Sequence, residues 1–150
     1  MSVVFRAATR DDVGAIVALL EDDMLGMARE GERLERYLAA FETMQSESGN
    51  LAIVGELAGR IVASYQLTFI SGLSLKAARR AQVEGVRVAS DLRGRGIGTA
   101  MFADAEARAR RAGCGLMQLT MNKARTDSAR FYRRLGFTAS HIGYKRKLPQ

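Results

Sequence analysis

Cysteine, proline, tryptophan and long apolar runs are scarce or absent in this chain of 150 residues. Its one cysteine, Cys114, cannot form an intramolecular disulfide, which fits a reducing compartment. Its one proline is Pro149 and it has no low-complexity tract, so we expect a folded chain. The longest apolar run, Val13–Leu20, falls far short of the roughly 20 residues that a membrane span requires. Charges near the amino terminus also interrupt any signal-peptide core, and we therefore expect a cytoplasmic protein with no membrane partner.

Positive charge is in excess, with a net charge of +7. Such an excess is compatible with a solvated basic surface, with nucleic-acid binding or with a small polyanionic cofactor. The absence of tryptophan and of stretches that interleave basic and aromatic residues argues against nucleic acid. Because 47% of the residues are hydrophobic, the chain can bury one core, and we predict a single domain over residues 1–150.

Hydrophobic periodicity predicts strands and helices in the order β, α, α, β, β, β, α, β, α, β, β. The predicted strands are Val3–Ala7, Leu51–Glu56, Ile61–Ile70, Gln82–Val88, Leu116–Met121, Phe137–Ser140 and Ile142–Leu148. Only the crossover between Gln82–Val88 and Leu116–Met121 contains a helix long enough to demand a parallel pair. The expected fold class is therefore α/β (α+β), with a mixed, mostly antiparallel sheet of about seven strands, one parallel pair and about four flanking helices.

The most informative stretch runs from Val86 to Thr99 and predicts a strand, a short turn, a glycine-rich loop and the start of a helix. The first N–H groups of a helix lack internal partners, and the helix dipole places about half a positive charge there. Glycines let the backbone approach an anion closely, and the loop also contains Arg93 and Arg95. This combination predicts a pyrophosphate-binding loop.

Three phosphate-binding motifs distinguish the candidate ligands. The P-loop pattern is absent, and the dinucleotide pattern G-x-G-x-x-G fails because Thr99 or Met101 stands where its third glycine is required. The segment from Arg93 to Gly98 matches R-x-x-G-x-G, and with a strand before it and a helix after it resembles the acetyl-coenzyme A loop of the GNAT superfamily of N-acetyltransferases. A second segment, from Tyr132 to Phe137, is similar to the Y-x-x-x-G-F motif of that superfamily. The two motifs in this order, together with the order of elements, extend the resemblance over nearly all of residues 1–150.

The resemblance implies an acetyl-CoA-dependent N-acetyltransferase without a metal. It implies transfer of the acetyl group to a primary amine of a small molecule or peptide by direct attack in a ternary complex. The loop amides would bind the pyrophosphate, and the N–H of Val86 is the candidate donor to the acetyl oxygen. The residues expected to bind the coenzyme are Val86, Val88, Arg93, Gly94, Arg95, Gly96, Gly98, Thr99, Asn122, Arg125, Ser128 and Phe131.

Two residues are the catalytic candidates. Tyr132 resembles the family's tyrosine that hydrogen-bonds the departing sulfur; the alternative is core packing beside Phe131. Glu84, expected to be half-buried and on the strand face of Val88, resembles an acid that serves some members as a base, directly or through water. The alternative for Glu84 is an exposed carboxylate or a salt bridge to Arg87 or another arginine.

Other features leave alternatives open. Arg125 stands where the family often has an asparagine, so either Asn122 takes over that contact or Arg125 reaches a coenzyme phosphate. The resemblance places the acceptor site at Asp22–Arg33, Ser71–Ala81 and the last strands; the acidic character of the first segment suits a cationic amine but equally an exposed loop. A non-catalytic acetyl-CoA sensor is the alternative function, and a homodimer is a further implication of such folds.

Overall fold

The computed structural model describes residues 2–21 and 30–150, and the side chains of residues 30–33 are outside that description. The chain divides into two compact units, Met1–Gln118 and Leu119–Gln150. The single domain expected from the sequence therefore stays a prediction.

Five helices are present in the described residues. They are α1 Val13–Glu21, α2 Glu30–Ser46, α3 Ser74–Ala77, α4 Ile97–Arg111 and α5 Thr126–Arg134. The prediction of about four helices omitted α3, a single turn in the segment predicted as a loop, in which Leu75, Lys76 and Ala77 have positive φ, so that it is not a regular right-handed helix. A reciprocal capping box precedes α1, because the N–H of Thr9 donates to Oδ2 of Asp12 over 2.8 Å. None of the described helices is long and apolar enough to cross a membrane.

The described residues form one sheet of five strands, and the order of the strands in the sheet is their order in the sequence. The strands are β1 Val4–Ala7, β2 Asn50–Leu57, β3 Arg60–Ile70, β4 Arg80–Val88 and β5 Leu116–Leu119. The first four pair antiparallel with their neighbours. Short connections join β2 to β3 and β3 to β4 and permit antiparallel pairing, whereas β1 and β2 pair antiparallel with α1 and α2 between them in the chain.

β5 runs parallel to β4. The N–H of Gly115 donates to the carbonyl of Arg79 over 2.8 Å, and further along both strands Nε2 of Gln118 donates to Oε1 of Gln82 over 2.7 Å. Because the two contacts advance in the same direction along both segments, the strands are parallel, as the crossover through α4 requires. The predicted parallel pair is confirmed.

The predicted number of about seven strands is wrong, since the described residues form five. Neither Phe137–Ser140 nor Ile142–Leu148 contains a strand. The apolar alternation that suggested the last strand is present, but Ile142 is 80% exposed and Tyr144 is 92% exposed. A strand is stabilised by ladder hydrogen bonds and by burial of one face, and these side chains bury little surface.

Cross-strand pairing sorts the side chains of the sheet onto two faces. Val54 belongs to the core cluster that α1 and α2 form with the sheet, and its partner Ser64 lies on the same face. Tyr65 points to the opposite face, where its hydroxyl donates to Asp104 of α4. The sheet thus has one face toward α1 and α2 and another toward α4.

Candidate active site

The glycine-rich loop opens α4 directly after β4 and the 3₁₀ turn Ser90–Leu92. Gly96 caps the helix with a φ of +81°, a left-handed conformation that favours glycine, and no described side chain bonds this terminus as a cap. The N–H groups of the first turn have no carbonyl partner within the helix. A Cβ built on Gly94 or Gly96 would meet no atom of the described residues within 4 Å. The terminus therefore presents N–H donors on an open surface.

Two arginines of the loop flank this terminus, and Asp91 in the turn before the loop is paired with another arginine. Arg93 and Arg95 are exposed, and the first turn of α4 contains no acidic residue. The carboxylate of Asp91 accepts two hydrogen bonds of 2.9 Å from the guanidinium of Arg60, which holds the pKa of Asp91 below its usual range. These groups fit a pyrophosphate, because a helix terminus and exposed arginines both favour an anion.

A β-bulge interrupts β4 before the loop. In the register with β3, the two residues Gly85 and Val86 stand opposite the single residue Tyr65. Gly85 has a φ of +62°, which glycine adopts without strain. The carbonyl of Val86 accepts a hydrogen bond of 2.9 Å from Nη1 of Arg87. The antiparallel ladder is thus broken at Val86, whose N–H is the candidate donor to an acetyl oxygen.

The bulge corrects two predictions about Glu84. Glu84 pairs with Gln66 on the face toward α1 and α2, whereas Val88 pairs with Ala63 on the face toward α4. The prediction that Glu84 and Val88 share a face is wrong, because one extra residue shifts the alternation. Glu84 is also exposed rather than half-buried, while Val88 is half-buried.

A set of polar side chains on the Glu84 face was missed from the sequence. We name this set the polar shelf; its members are Asn50, Gln66, Thr68, Arg80, Gln82, Glu84 and Gln118. Its members in β3 and β4 alternate with the buried residues Leu67, Ala81 and Val83, and each member is half-buried or exposed. That alternation of polar with apolar residues in β3 and β4 is the sequence signal that could have found it.

A second missed cluster fixes α4 on the opposite face. The hydroxyl of Tyr65 donates to Oδ2 of Asp104, which also accepts a 2.8 Å hydrogen bond from Nε of Arg108. Arg108 donates in addition to the carbonyl of Phe5 over 3.3 Å. Burial, reinforced by the Asp104 carboxylate, raises the pKa of Tyr65. Because Tyr65 stands opposite the bulge and Asp104 lies on the helix that the loop opens, this cluster fixes loop and bulge relative to each other.

Tyr132 lies in the last turn of α5, within the unit Leu119–Gln150. This helix ends in a Schellman motif, with N–H groups of Phe137 and Gly136 donating over 3.0 Å to the carbonyls of Tyr132 and Arg133 respectively. Gly136 has a φ of +92°, and the ring of Phe137 contacts that of Tyr132 edge-on at a centroid distance of 6.0 Å. The Y-x-x-x-G-F pattern therefore fixes the tyrosine ring at the end of a helix.

The remaining predicted residues of this unit lie in the turn before α5 and in the helix itself. Oδ1 of Asn122 accepts the N–H of Ala124 over 3.0 Å, in the turn that leads to the helix. Arg125 is exposed and occupies the cap position of α5, and Ser128 is half-buried in its first turn. The ring of Phe131 lies 5.4 Å from that of Tyr132.

The predicted site residues fall into two groups. The unit Met1–Gln118 contains Glu84, Val86, Val88, Arg93, Gly94, Arg95, Gly96, Gly98 and Thr99. The unit Leu119–Gln150 contains Asn122, Arg125, Ser128, Phe131 and Tyr132. The predicted acidic acceptor segment lies outside the described residues at positions 22–29, and only its backbone is described at 30–33. Across the described part of the chain, no group of three or more His, Cys, Asp or Glu residues could hold a metal ion.

Residues 13–137 match the acetyltransferase (GNAT) family. Among curated proteins, an aminoalkylphosphonate N-acetyltransferase of Salmonella typhimurium is 37% identical over 67 residues. That match spans 45% of this chain and 44% of the Salmonella protein, less than half the length of each.

Solved structures share the fold over nearly the whole chain. A transcriptional regulator from Bacillus halodurans C-125 is 40% identical, with a TM-score of 0.89, over 97% of this chain and 99% of that one. Glucosamine-6-phosphate N-acetyltransferase from Arabidopsis thaliana is 18% identical, with a TM-score of 0.78, over 99% of this chain and 100% of that one. The second likeness concerns the fold alone.

Proposed function

This chain belongs to the acetyltransferase (GNAT) family, and on that premise we propose that it transfers the acetyl group of acetyl-CoA to a primary amine of a small molecule or peptide. The observation that carries the proposal is the open N-terminus of α4, where no described side chain makes a capping hydrogen bond, and which follows a bulged strand and is flanked by exposed arginines. The proposed reaction is direct attack of the amine within a ternary complex.

The donor side of the reaction is assigned to the loop. The N–H groups between Arg93 and Thr99 would hold the pyrophosphate at the start of α4, where Gly96 has a left-handed φ. Arg93 and Arg95 would add charge-assisted hydrogen bonds to the same phosphates. The bound thioester supplies the activated acetyl group.

The transfer itself is assigned to three residues. The N–H of Val86, at the bulge, would donate to the acetyl oxygen as negative charge develops on it, a contribution of about 3 kcal/mol for one such donor. Glu84 would accept the proton of the amine, directly or through water, since its carboxylate is exposed two residues before Val86 in the same strand. The hydroxyl of Tyr132 would donate a hydrogen bond to the departing sulfur. Because a tyrosine is a weaker acid than a thiol, full transfer of its proton to the departing thiolate is uphill. The role assigned to Tyr132 is therefore a hydrogen bond to the sulfur.

The acceptor is proposed as a cationic amine. The Salmonella relative is named for aminoalkylphosphonates, so these compounds belong in the first acceptor panel beside amino sugars, amino acids and peptide amines. A cytoplasmic location, a homodimer and action of residues 1–150 as one domain are further proposals carried from the sequence.

The second candidate function is an acetyl-CoA sensor without turnover. It is favoured by the Bacillus halodurans relative, which is described as a transcriptional regulator and is 40% identical over 97% of this chain. The same coenzyme loop would serve a sensor equally well.

Release of free thiol from acetyl-CoA, measured with and without each amine of the panel, separates the two functions. A transferase releases thiol at a rate that depends on one class of amine. A sensor is stabilised by acetyl-CoA in a thermal melt but releases no thiol with any amine. If acetyl-CoA does not raise Tm and no thiol is released with any amine, both the transferase and the sensor proposals are contradicted.

A further inference from the structure

The polar shelf carries opposite charges at its two ends. Arg80 begins β4 and Glu84 lies four residues further along the same strand, on the same face. At about 3.3 Å per residue, the two positions are roughly 13 Å apart. The side chains between them are amides and a hydroxyl, so the shelf offers polar contacts rather than an apolar groove.

A relay of three hydrogen bonds leads from Arg80 to Glu84, and all three have the same donor-to-acceptor direction. Nη1 of Arg80 donates to Oε1 of Gln118 over 3.4 Å, and Nε2 of Gln118 donates to Oε1 of Gln82 over 2.7 Å. Nε2 of Gln82 then points to Oε1 of Glu84 at 3.5 Å. A guanidinium only donates and a carboxylate only accepts, so the two charges fix which way each amide turns. This relay fixes the orientation of the side-chain amides of Gln82 in β4 and Gln118 in β5.

The neighbouring half of the shelf is fixed in the same manner. Nε2 of Gln66 donates to Oδ1 of Asn50 over 2.9 Å, and Nδ2 of Asn50 donates to Glu47 over 2.7 Å. Gln66 pairs with Glu84 across the strands, and the pair therefore places a second oriented amide beside the carboxylate. A surface of oriented amides, with one cation and one anion, is complementary to a polar molecule that carries both charges.

From this arrangement we infer that the polar shelf binds the acceptor, and that the acceptor is a zwitterion with its amine at Glu84 and an anionic group at Arg80. The inference rests on the proposed function and specifies its substrate class. An alkylamine of equal length would leave Arg80 without an anion, and a diamine would place a second cation against it. The separation of the two ends favours an extended molecule, with amine and anion on the order of 10 Å apart.

Binding is measured without turnover, by following the side-chain amide NMR signals of Gln82 and Gln118 in the presence of coenzyme A. The probes are ω-amino carboxylates of increasing length, with the n-alkylamine and the α,ω-diamine of each length as controls. We expect the amino carboxylate to shift these signals and to bind about tenfold more tightly than its alkylamine, the effect of one charge-assisted contact. Equal binding of the two, or no shift of either signal, overturns the inference.

Three variants assign the anion preference to one residue. Arg80→Gln should remove the preference for the amino carboxylate, and Arg80→Lys, which retains the charge, should restore part of it. Arg110→Gln is the matched control, since Arg110 is an exposed arginine of α4 that pairs with Glu106 away from the shelf. A preference that survives Arg80→Gln, or that falls equally in the Arg110 variant, contradicts the assignment.

Thiol release from acetyl-CoA, measured in parallel, separates this inference from the proposed function. Turnover that proceeds equally with alkylamines and amino carboxylates refutes the zwitterion inference and leaves the transferase proposal standing. Selective binding of amino carboxylates at the shelf without any thiol release refutes the transferase proposal and supports the assigned ligand class.

Discussion

Gly96→Ala separates the structural role of the loop from its ligand-binding role. Gly96 has a φ of +81°, and a Cβ there meets no atom of the described residues within 4 Å. The substitution therefore costs left-handed strain of about 1–2 kcal/mol without a steric clash inside the protein. For a chain of this size, each kcal/mol lowers Tm by roughly 2–4 °C.

Gly113→Ala is the matched control, at the opposite end of the same helix. Gly113 has a φ of +78°, and its added Cβ likewise meets no described atom within 4 Å. The two variants should therefore lose similar stability. Only the Gly96 variant adds a methyl group to the loop whose N–H donors would hold a pyrophosphate.

The expected loss in coenzyme affinity follows from the donors that this methyl group obstructs. One hydrogen bond to a charged group contributes about 1.5–3 kcal/mol, so Kd for acetyl-CoA should rise about 10- to 100-fold in Gly96→Ala. Calorimetric titration of both variants and the parent measures this change. An unchanged Kd for Gly96→Ala, or an equal loss in Gly113→Ala, would refute the assignment of the loop as the coenzyme site.

Three further outcomes are expected. Tyr132→Phe should lower kcat more than it weakens acetyl-CoA binding, and an unchanged kcat would remove Tyr132 from the transfer step. The raised pKa of Tyr65, caused chiefly by burial and then by its hydrogen bond to Asp104, means that the folded state retains a proton the unfolded state loses. Urea midpoints should therefore fall above about pH 10 in the parent more steeply than in Tyr65→Phe, and parallel curves would contradict this. The pKa of Asp12 is lowered, first by its hydrogen bond from Arg6, so its stabilisation is present above about pH 4 and is lost as the pH falls below. Asp12→Asn should flatten that acid limb and cost about 1–3 kcal/mol at neutral pH, whereas an unaltered acid limb would show that the pair contributes nothing.

The features that the sequence predicted correctly are those with a local cause. The stretch from Val86 to Thr99 forms the predicted strand end, short turn, glycine-rich loop and helix start, and the spacing of Thr9 and Asp12 suits the capping box that forms before α1. The parallel pair follows from the length of the crossover between β4 and β5. Each of these follows from a motif or a spacing within one continuous stretch of the chain, which is why the sequence is sufficient.

The features that the sequence did not predict depend on pairing between distant segments. The bulge at Gly85 and Val86 becomes visible only in the register with β3, and it reverses the face on which Glu84 was expected. The relay through Gln118 likewise depends on β5 lying beside β4. The tie between Tyr65 and Asp104 joins residues 39 positions apart, and no spacing rule along the chain connects them.

The most direct test of the account is the balance of acetyl groups in one reaction. Acetyl-CoA is incubated with the protein and a single accepted amine, and free thiol and N-acetylated amine are quantified together by mass spectrometry. The proposed transfer predicts one acetylated amine for each thiol released, with neither product formed when the protein or the amine is omitted. Thiol released without acetylated amine, or acetyl-CoA bound and returned intact with every amine, would contradict it.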